Sequence, residues 1–178
     1  MENPEIQSYS QSRLSKGYRP LVELLPLETP LSLMIDPSNA CNFKCVFCPT
    51  GDPELLGQVG RPKGMMDLQL FRKIIDDLVE FSQPVQVLHL YKDGEPLVNK
   101  FLPEMIAYAK SSKYVKRVEM TTNGSLLTSE RSSALIAAGL DGIRVSVYAL
   151  DDSGYSKTTR SLTKFQNIQC DRRSCRVR

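Results

Sequence analysis

Apolar positions along this chain fall into two alternating patterns, short unbroken runs and stripes with helical spacing. "LSLMID" (31–36) is a continuous apolar run of strand type. It leads into a polar, cysteine-bearing loop. "MDLQLFRKIIDDLVEF" (66–81) then places Phe71, Ile74, Ile75 and Leu78 on one helical face, with Asp67 positioned as its N-cap. "VQVLHL" (85–90) reads as the second strand. After the loop "YKDGEPLVNK" comes a helix near 100–111 whose buried stripe is Leu102, Met105, Ile106 and Ala109. "KRVEMTTNG" (116–124) is a third strand with its exit loop. Thr128 then caps a helix that runs to Gly139, and "GIRVSVYAL" (142–150) is a fourth strand.

Four strands alternating with helices through short connections predict right-handed βαβ crossovers and a parallel sheet. The fold expected is α/β, a partial (β/α) barrel of about four units. The polar motifs follow the strands, at the sheet's C-terminal edge, where barrels and open α/β sheets carry their active sites. Residues 1–30 read as an irregular lead-in, 31–160 as the core and 161–178 as a polar, basic tail. Only weak periodicity is visible after residue 150. Four units leave a sheet edge to be covered. The expectation is a chain truncated after its fourth unit, or a partner subunit that completes the barrel.

Composition changes this picture little. A 178-residue chain with 41% apolar and 24% charged residues suits one ordinary globular domain. A formal net charge of +3 with no basic stripe argues against a nucleic-acid partner. The opening "MENPEIQSYSQ" is acidic and polar, unlike a secretory signal. "PLVELLPLETPLSLMI" is interrupted by two glutamates and three prolines, so it does not cross a bilayer as one helix. A cytoplasmic setting is therefore expected, where cysteines stay reduced and a cluster of them suggests metal ligation.

The chemistry concentrates in "SNACNFKCVFCPTGD" (38–52), with Cys41, Cys45 and Cys48 at spacings of four and then three. A cubane iron–sulfur cluster normally takes four cysteine thiolates. Three leave one iron with an open position, which is what a catalytic metal site requires. The residues alone also allow a zinc site completed by His89, Cys170 or Cys175, and a bare redox carrier.

"CNFKCVFC" resembles the CxxxCxΦC motif of the radical S-adenosylmethionine superfamily, with Phe47 at the aromatic position. The resemblance implies a 4Fe–4S cluster on Cys41, Cys45 and Cys48, with S-adenosylmethionine bound to the fourth iron. It implies reductive cleavage to methionine and a 5′-deoxyadenosyl radical, which abstracts hydrogen from a substrate. An electron donor of the flavodoxin or ferredoxin type is implied as partner.

"DGEPL" after the second strand is similar to the family's GGEP-like motif, giving Gly94, Glu95 and Pro96 a place beside the methionine moiety. Asp93 stands where the first glycine would be. "TTNG" suggests Asn123 near the nucleoside. Arg144, Ser146 and Tyr148 share one face of the fourth strand, and Ser146 is the candidate for the ribose or carboxylate. His89 reads as a hydrogen-bonded core residue. The lead-in and cysteine loop look most like members that carry SPASM-type tails and act on peptides or in sugar and polysaccharide pathways. The substrate itself is not legible.

Overall fold

The computed structural model describes residues 22, 25–165 and 168. Strands β1 (Ser32–Ile35), β2 (Val85–Leu90), β3 (Val115–Thr122) and β4 (Gly142–Val145) form one sheet in the order β1-β2-β3-β4. Every pairing is parallel. Each strand adds beside the previous one, which is the order of a barrel wall; a doubly wound sheet would reverse direction at a switch point.

Among the described residues five helices connect and follow the strands: α1 (Pro53–Gln58), α2 (Leu68–Asp77), α3 (Leu102–Ser111), α4 (Ser129–Ala137) and α5 (Asp152–Thr159). The Asp67 carboxylate caps α2, accepting from the Gln69 and Leu70 N–H groups, and the Thr128 hydroxyl caps α4. The helix predicted over 66–81 is shorter than its apolar pattern. Met66 N–H bonds to the Pro37 carbonyl instead, and Leu78–Glu80 tightens into a 3-10 turn.

One face of the sheet is apolar. Leu88, Leu90, Val118 and Met120 pack against Phe71, Ile75, Leu102, Met105, Ile106 and Ala109 from α2 and α3. These helix residues are the predicted stripes. The fully buried members contribute roughly 1.5–3 kcal/mol each. By alternation and register, Met34, His89, Glu119, Thr121 and Arg144 line the opposite face. There Glu119 is held by Arg117 (3.0 Å) and Arg144 (2.7 Å).

The fourth strand pairs only to Val145, not to residue 150. Its partner β3 ends at Thr122, so after one further bond, Ser146 N–H to the Thr122 carbonyl (2.9 Å), the chain has no ladder to follow. It turns into α5, which sequence periodicity missed, as it also missed α1. Among the described residues no helix is long and apolar enough to cross a membrane.

Candidate metal centre and cofactor cleft

The cysteine loop leaves the C-terminal end of β1 and is clamped by contacts from several segments. Ser38 bridges to Met65, and the Asn39 side chain bonds with Gly64 N–H (2.7 Å) and the Pro62 carbonyl (2.9 Å). Glu95 N–H donates to the Ala40 carbonyl (3.0 Å). A β-carbon on Gly94 would lie 1.9 Å from the Ser38 carbonyl oxygen, so only glycine lets the two loops meet. Gly51 has the same role inside the loop, where a β-carbon would lie 2.7 Å from the Cys45 carbonyl oxygen. From the far side, Lys44 and Val46 N–H groups donate to the carbonyls of Thr159 and Thr158 at the end of α5 (3.0 Å each). Paired backbone groups thus hold the loop alongside the burial of Phe43 and Cys45.

Cys45 is buried, Cys41 and Cys48 are half-buried, and all three are free thiols. Two of them have polar partners: Phe43 N–H donates to the Cys41 sulfur (3.4 Å), and the Cys48 sulfur and Thr50 hydroxyl lie 2.9 Å apart, either able to donate. Burial first, then the neighbouring Cys41 and Cys48, pushes the Cys45 thiol up to about 11. Burial also raises Cys41. Crowded thiolates are thus costly unless a cationic centre binds them, which is the chemistry of a metal-ligating set.

A single zinc ion would need sulfurs about 4 Å apart. Among the described residues no group of three His, Cys, Asp or Glu side chains gathers as one ion requires. His89 lies within β2 with its Nδ1 buried and without a hydrogen-bond partner, rather than the hydrogen-bonded core residue expected. Cys170 and Cys175 lie outside the described residues.

The exits of β2, β3 and β4 close around the same place. A cleft of about 150 Å³ is lined by Cys41, Cys45 and Cys48 together with Phe47, Gly94, Glu95, Asn123 and Ser146. Pro96 is not in its wall; it is buried and opens a 3-10 turn, Pro96–Val98, where a missing N–H costs nothing. Phe47 is 62% exposed at the mouth, its ring 5.6 Å from that of Tyr148.

Glu95 is buried, and its carboxylate accepts from the Thr122 hydroxyl (2.6 Å), Asn123 N–H (2.7 Å) and Leu97 N–H (3.0 Å). Burial still outweighs these bonds and raises its pKa above the ordinary 4.5. The carboxylate thus ties the β2 exit to the β3 exit. Asn123 extends the tie: its Nδ2 donates to Asn42 Oδ1 (2.9 Å), and its Oδ1 accepts from Ser125 N–H (2.9 Å).

Sequence reasoning missed Thr122, Asn42 and Thr50, which carry no signal beyond being polar near a motif. It named Tyr148 only as sharing a strand face with Ser146, and it missed Tyr155. These rings pack with Phe43 beside Cys41, Cys45 and Cys48. Asp93, at the departing motif position, is paired with Arg61 from the segment after α1.

A parallel, barrel-ordered sheet whose C-terminal edge gathers three thiols and a polar cleft defines a partial (β/α) barrel domain with a candidate site at that edge. Residues 35–169 match the family model described as the Radical SAM superfamily, and the chain belongs to that superfamily. It is 32% identical over 130 residues to a GTP 3′,8-cyclase of Chlorobaculum tepidum, covering 69% of this chain and 34% of that protein. It is 35% identical over 112 residues to an Fe-coproporphyrin III synthase of Methanosarcina barkeri, covering 62% and 25%.

Two solved structures share the fold. One is anSMEcpe with bound AdoMet and Cp18Cys peptide, with TM-score 0.59 and 18% identity over 82% of this chain and 38% of that one. The other is BtrN in complex with AdoMet and 2-DOIA, with TM-score 0.54 and 23% identity over 65% and 45%. The chain spans about a third of the length of the cyclase.

Proposed function

We propose that this chain binds a 4Fe–4S cluster through Cys41, Cys45 and Cys48, and S-adenosylmethionine in the adjoining cleft, as a radical S-adenosylmethionine domain. The observation that carries the reading is that one cleft gathers the three thiols and the exits of three successive strands. When bound, cluster and cosubstrate supply reductive cleavage of the sulfonium and hydrogen abstraction from a substrate.

The protein's own share is positioning. Gly94 and Glu95 fix the height of the cysteine loop over the sheet, and Glu95, Thr122 and Asn123 lock the two strand exits to each other. Gly94 and Ser146 line the cleft in which the cosubstrate would bind. Phe47 and Tyr148 wall the mouth with aromatic surface. The relatives' names give no common substrate, since a cyclised nucleotide and a porphyrin share little chemistry. The proposal therefore stops at the radical-generating step.

The test is anaerobic reconstitution with iron and sulfide, followed by metal analysis of the full chain. The wild type is expected to hold about four irons per chain. Cys41→Ala, Cys45→Ala and Cys48→Ala should each lose most of that iron while keeping their helical circular dichroism. Variants that load as much iron as the wild type would contradict the assignment.

A further inference from the structure

Among the described residues three buried polar atoms have no hydrogen-bond partner: Asp36 Oδ1, His89 Nδ1 and the Tyr155 hydroxyl. Asp36 and His89 are half-buried as residues, whereas Tyr155 is 0% exposed. Taking a hydroxyl out of water without a partner costs free energy, so a fully buried one calls for an acceptor.

The Tyr155 ring is held on several sides. It meets Phe43 and Tyr148 edge-on, with ring centroids 6.2 and 5.9 Å away, and Phe165 at 6.2 Å. Its helix is fixed to the cysteine loop by the Lys44 and Val46 N–H bonds to the Thr159 and Thr158 carbonyls, and Thr159 Oγ1 donates to the Tyr155 carbonyl (2.8 Å).

An acceptor without a donor lies in the same buried cluster. Phe43 N–H and Asn123 Nδ2 reach the Cys41 sulfur (3.4 and 3.9 Å), and the Thr50 hydroxyl lies beside the Cys48 sulfur. None of the other described residues donates to the Cys45 sulfur, although Cys45 is the most buried of the three thiols. Cys45 packs in one cluster with Phe43 and Tyr155, and it is the thiol whose charge bears on the Tyr155 hydroxyl.

We propose that the Tyr155 hydroxyl is a positioning donor for the Cys45 sulfur in its cluster-bound, thiolate form. The inference rests on the cluster reading above. A neutral thiol is a weak acceptor, so the hydroxyl stands unpaired beside it. A thiolate carries charge, and hydrogen bonds to charged acceptors are the strong ones. Donors to the sulfurs of an iron–sulfur centre stabilise the extra negative charge of its reduced form and raise its potential. Tyr155 thus acts through Cys45 and touches neither cosubstrate nor substrate.

The test compares Tyr155→Phe with the wild type, both as full chains. Phenylalanine keeps the ring packing and removes only the oxygen. Without cluster, the variant should unfold at the wild-type temperature or above, because an unpaired buried hydroxyl is gone. After anaerobic reconstitution, a redox titration followed by electron paramagnetic resonance should place the variant's cluster at a lower potential. The expected size is about tenfold in the reduction equilibrium, about 59 mV for one electron. Phe165→Leu, which loosens the ring packing and keeps the hydroxyl, should leave the potential unchanged. Loss of iron from folded Tyr155→Phe, with Phe165→Leu loading normally, would support the same bond through cluster retention.

Equal potentials in the loaded wild type and Tyr155→Phe would overturn the proposal. So would an equal fall in Phe165→Leu, which would assign the effect to packing. A cluster-free Tyr155→Phe chain that unfolds at a clearly lower temperature would overturn it too, because the hydroxyl would already have a partner. A wild type that takes up no cluster would refute the cluster reading and the proposal with it, so iron content tells the two failures apart.

Discussion

The two sides of the sheet's C-terminal half are stabilised by opposite means. On the helix side, Leu88, Leu90, Val118 and Met120 meet apolar stripes of α2 and α3, and the contact is non-directional burial. At the C-terminal edge the contacts are directional: a buried carboxylate with three donors, carbonyls paired across loops, and a glycine that only its missing side chain admits. Burial tolerates change of shape, while a polar knot tolerates little. The region that would bind cofactor is therefore the one where small substitutions should cost most for their size.

Gly94→Ala sharpens that contrast most. One added carbon 1.9 Å from the Ser38 carbonyl must separate the two loops. The expected cost exceeds about 4 kcal/mol, beyond the usual range for a point change, with cluster uptake lost as well. Urea unfolding and iron analysis would check both. Phe71→Ala, which removes a whole buried ring from the apolar side, should cost about 3–5 kcal/mol while the folded fraction still takes up cluster. If Phe71→Ala abolished loading and Gly94→Ala did not, the division of labour would be wrong.

Glu95→Gln presents an amide to donors that need an acceptor, and a loss of about 1–3 kcal/mol is expected. Its pH dependence separates the two regions further. Burial, only partly offset by the bonds to Thr122, Asn123 and Leu97, raises the Glu95 pKa above 4.5. The folded state thus holds this proton more tightly than the unfolded chain does. Glu95's contribution to stability should fall as pH rises from about 4.5 to its raised native value. Urea titrations across that range should show the slope in the wild type and its loss in the Gln variant.

Asp141 behaves in the opposite sense. Burial would raise it, but the Lys110 ammonium and Val118 N–H outweigh burial and lower it below 3.8. Its contribution is present above pH 3.8 and lost as pH falls through the lowered value. Asn123→Ala, which unties Asn42 and Ser125, is the mildest of the set at about 1 kcal/mol, read by the same unfolding assay.

Much of the apolar side is legible in the sequence. Strand β2 occupies the predicted 85–90, and Leu102, Met105, Ile106 and Ala109 are the buried residues of α3. Periodicity reports burial, and these elements are buried. Helix α5 buries only Tyr155 and Thr159, too few to set a period, so its N-cap Asp151 is its main sequence signal. Helix α1 carries a readable start in Asp52 followed by Pro53, a cap and an N1 proline.

At the cleft, the cysteine, GEP and TTNG segments are visible as motifs. Their convergence is not, because a pattern says which residue types are present and not which loops touch. The burial of Glu95 shows the gap, since a glutamate beside glycine and proline reads as a surface turn until Thr122 and Asn123 are seen to enclose it.

The most direct measurement is electron paramagnetic resonance of the anaerobically reconstituted, reduced chain, with and without S-adenosylmethionine. The account predicts a 4Fe–4S signal that changes when S-adenosylmethionine is added, as an iron with an open position beside the cleft requires. A cluster signal indifferent to S-adenosylmethionine, or a chain that takes up zinc and no cluster, would contradict it.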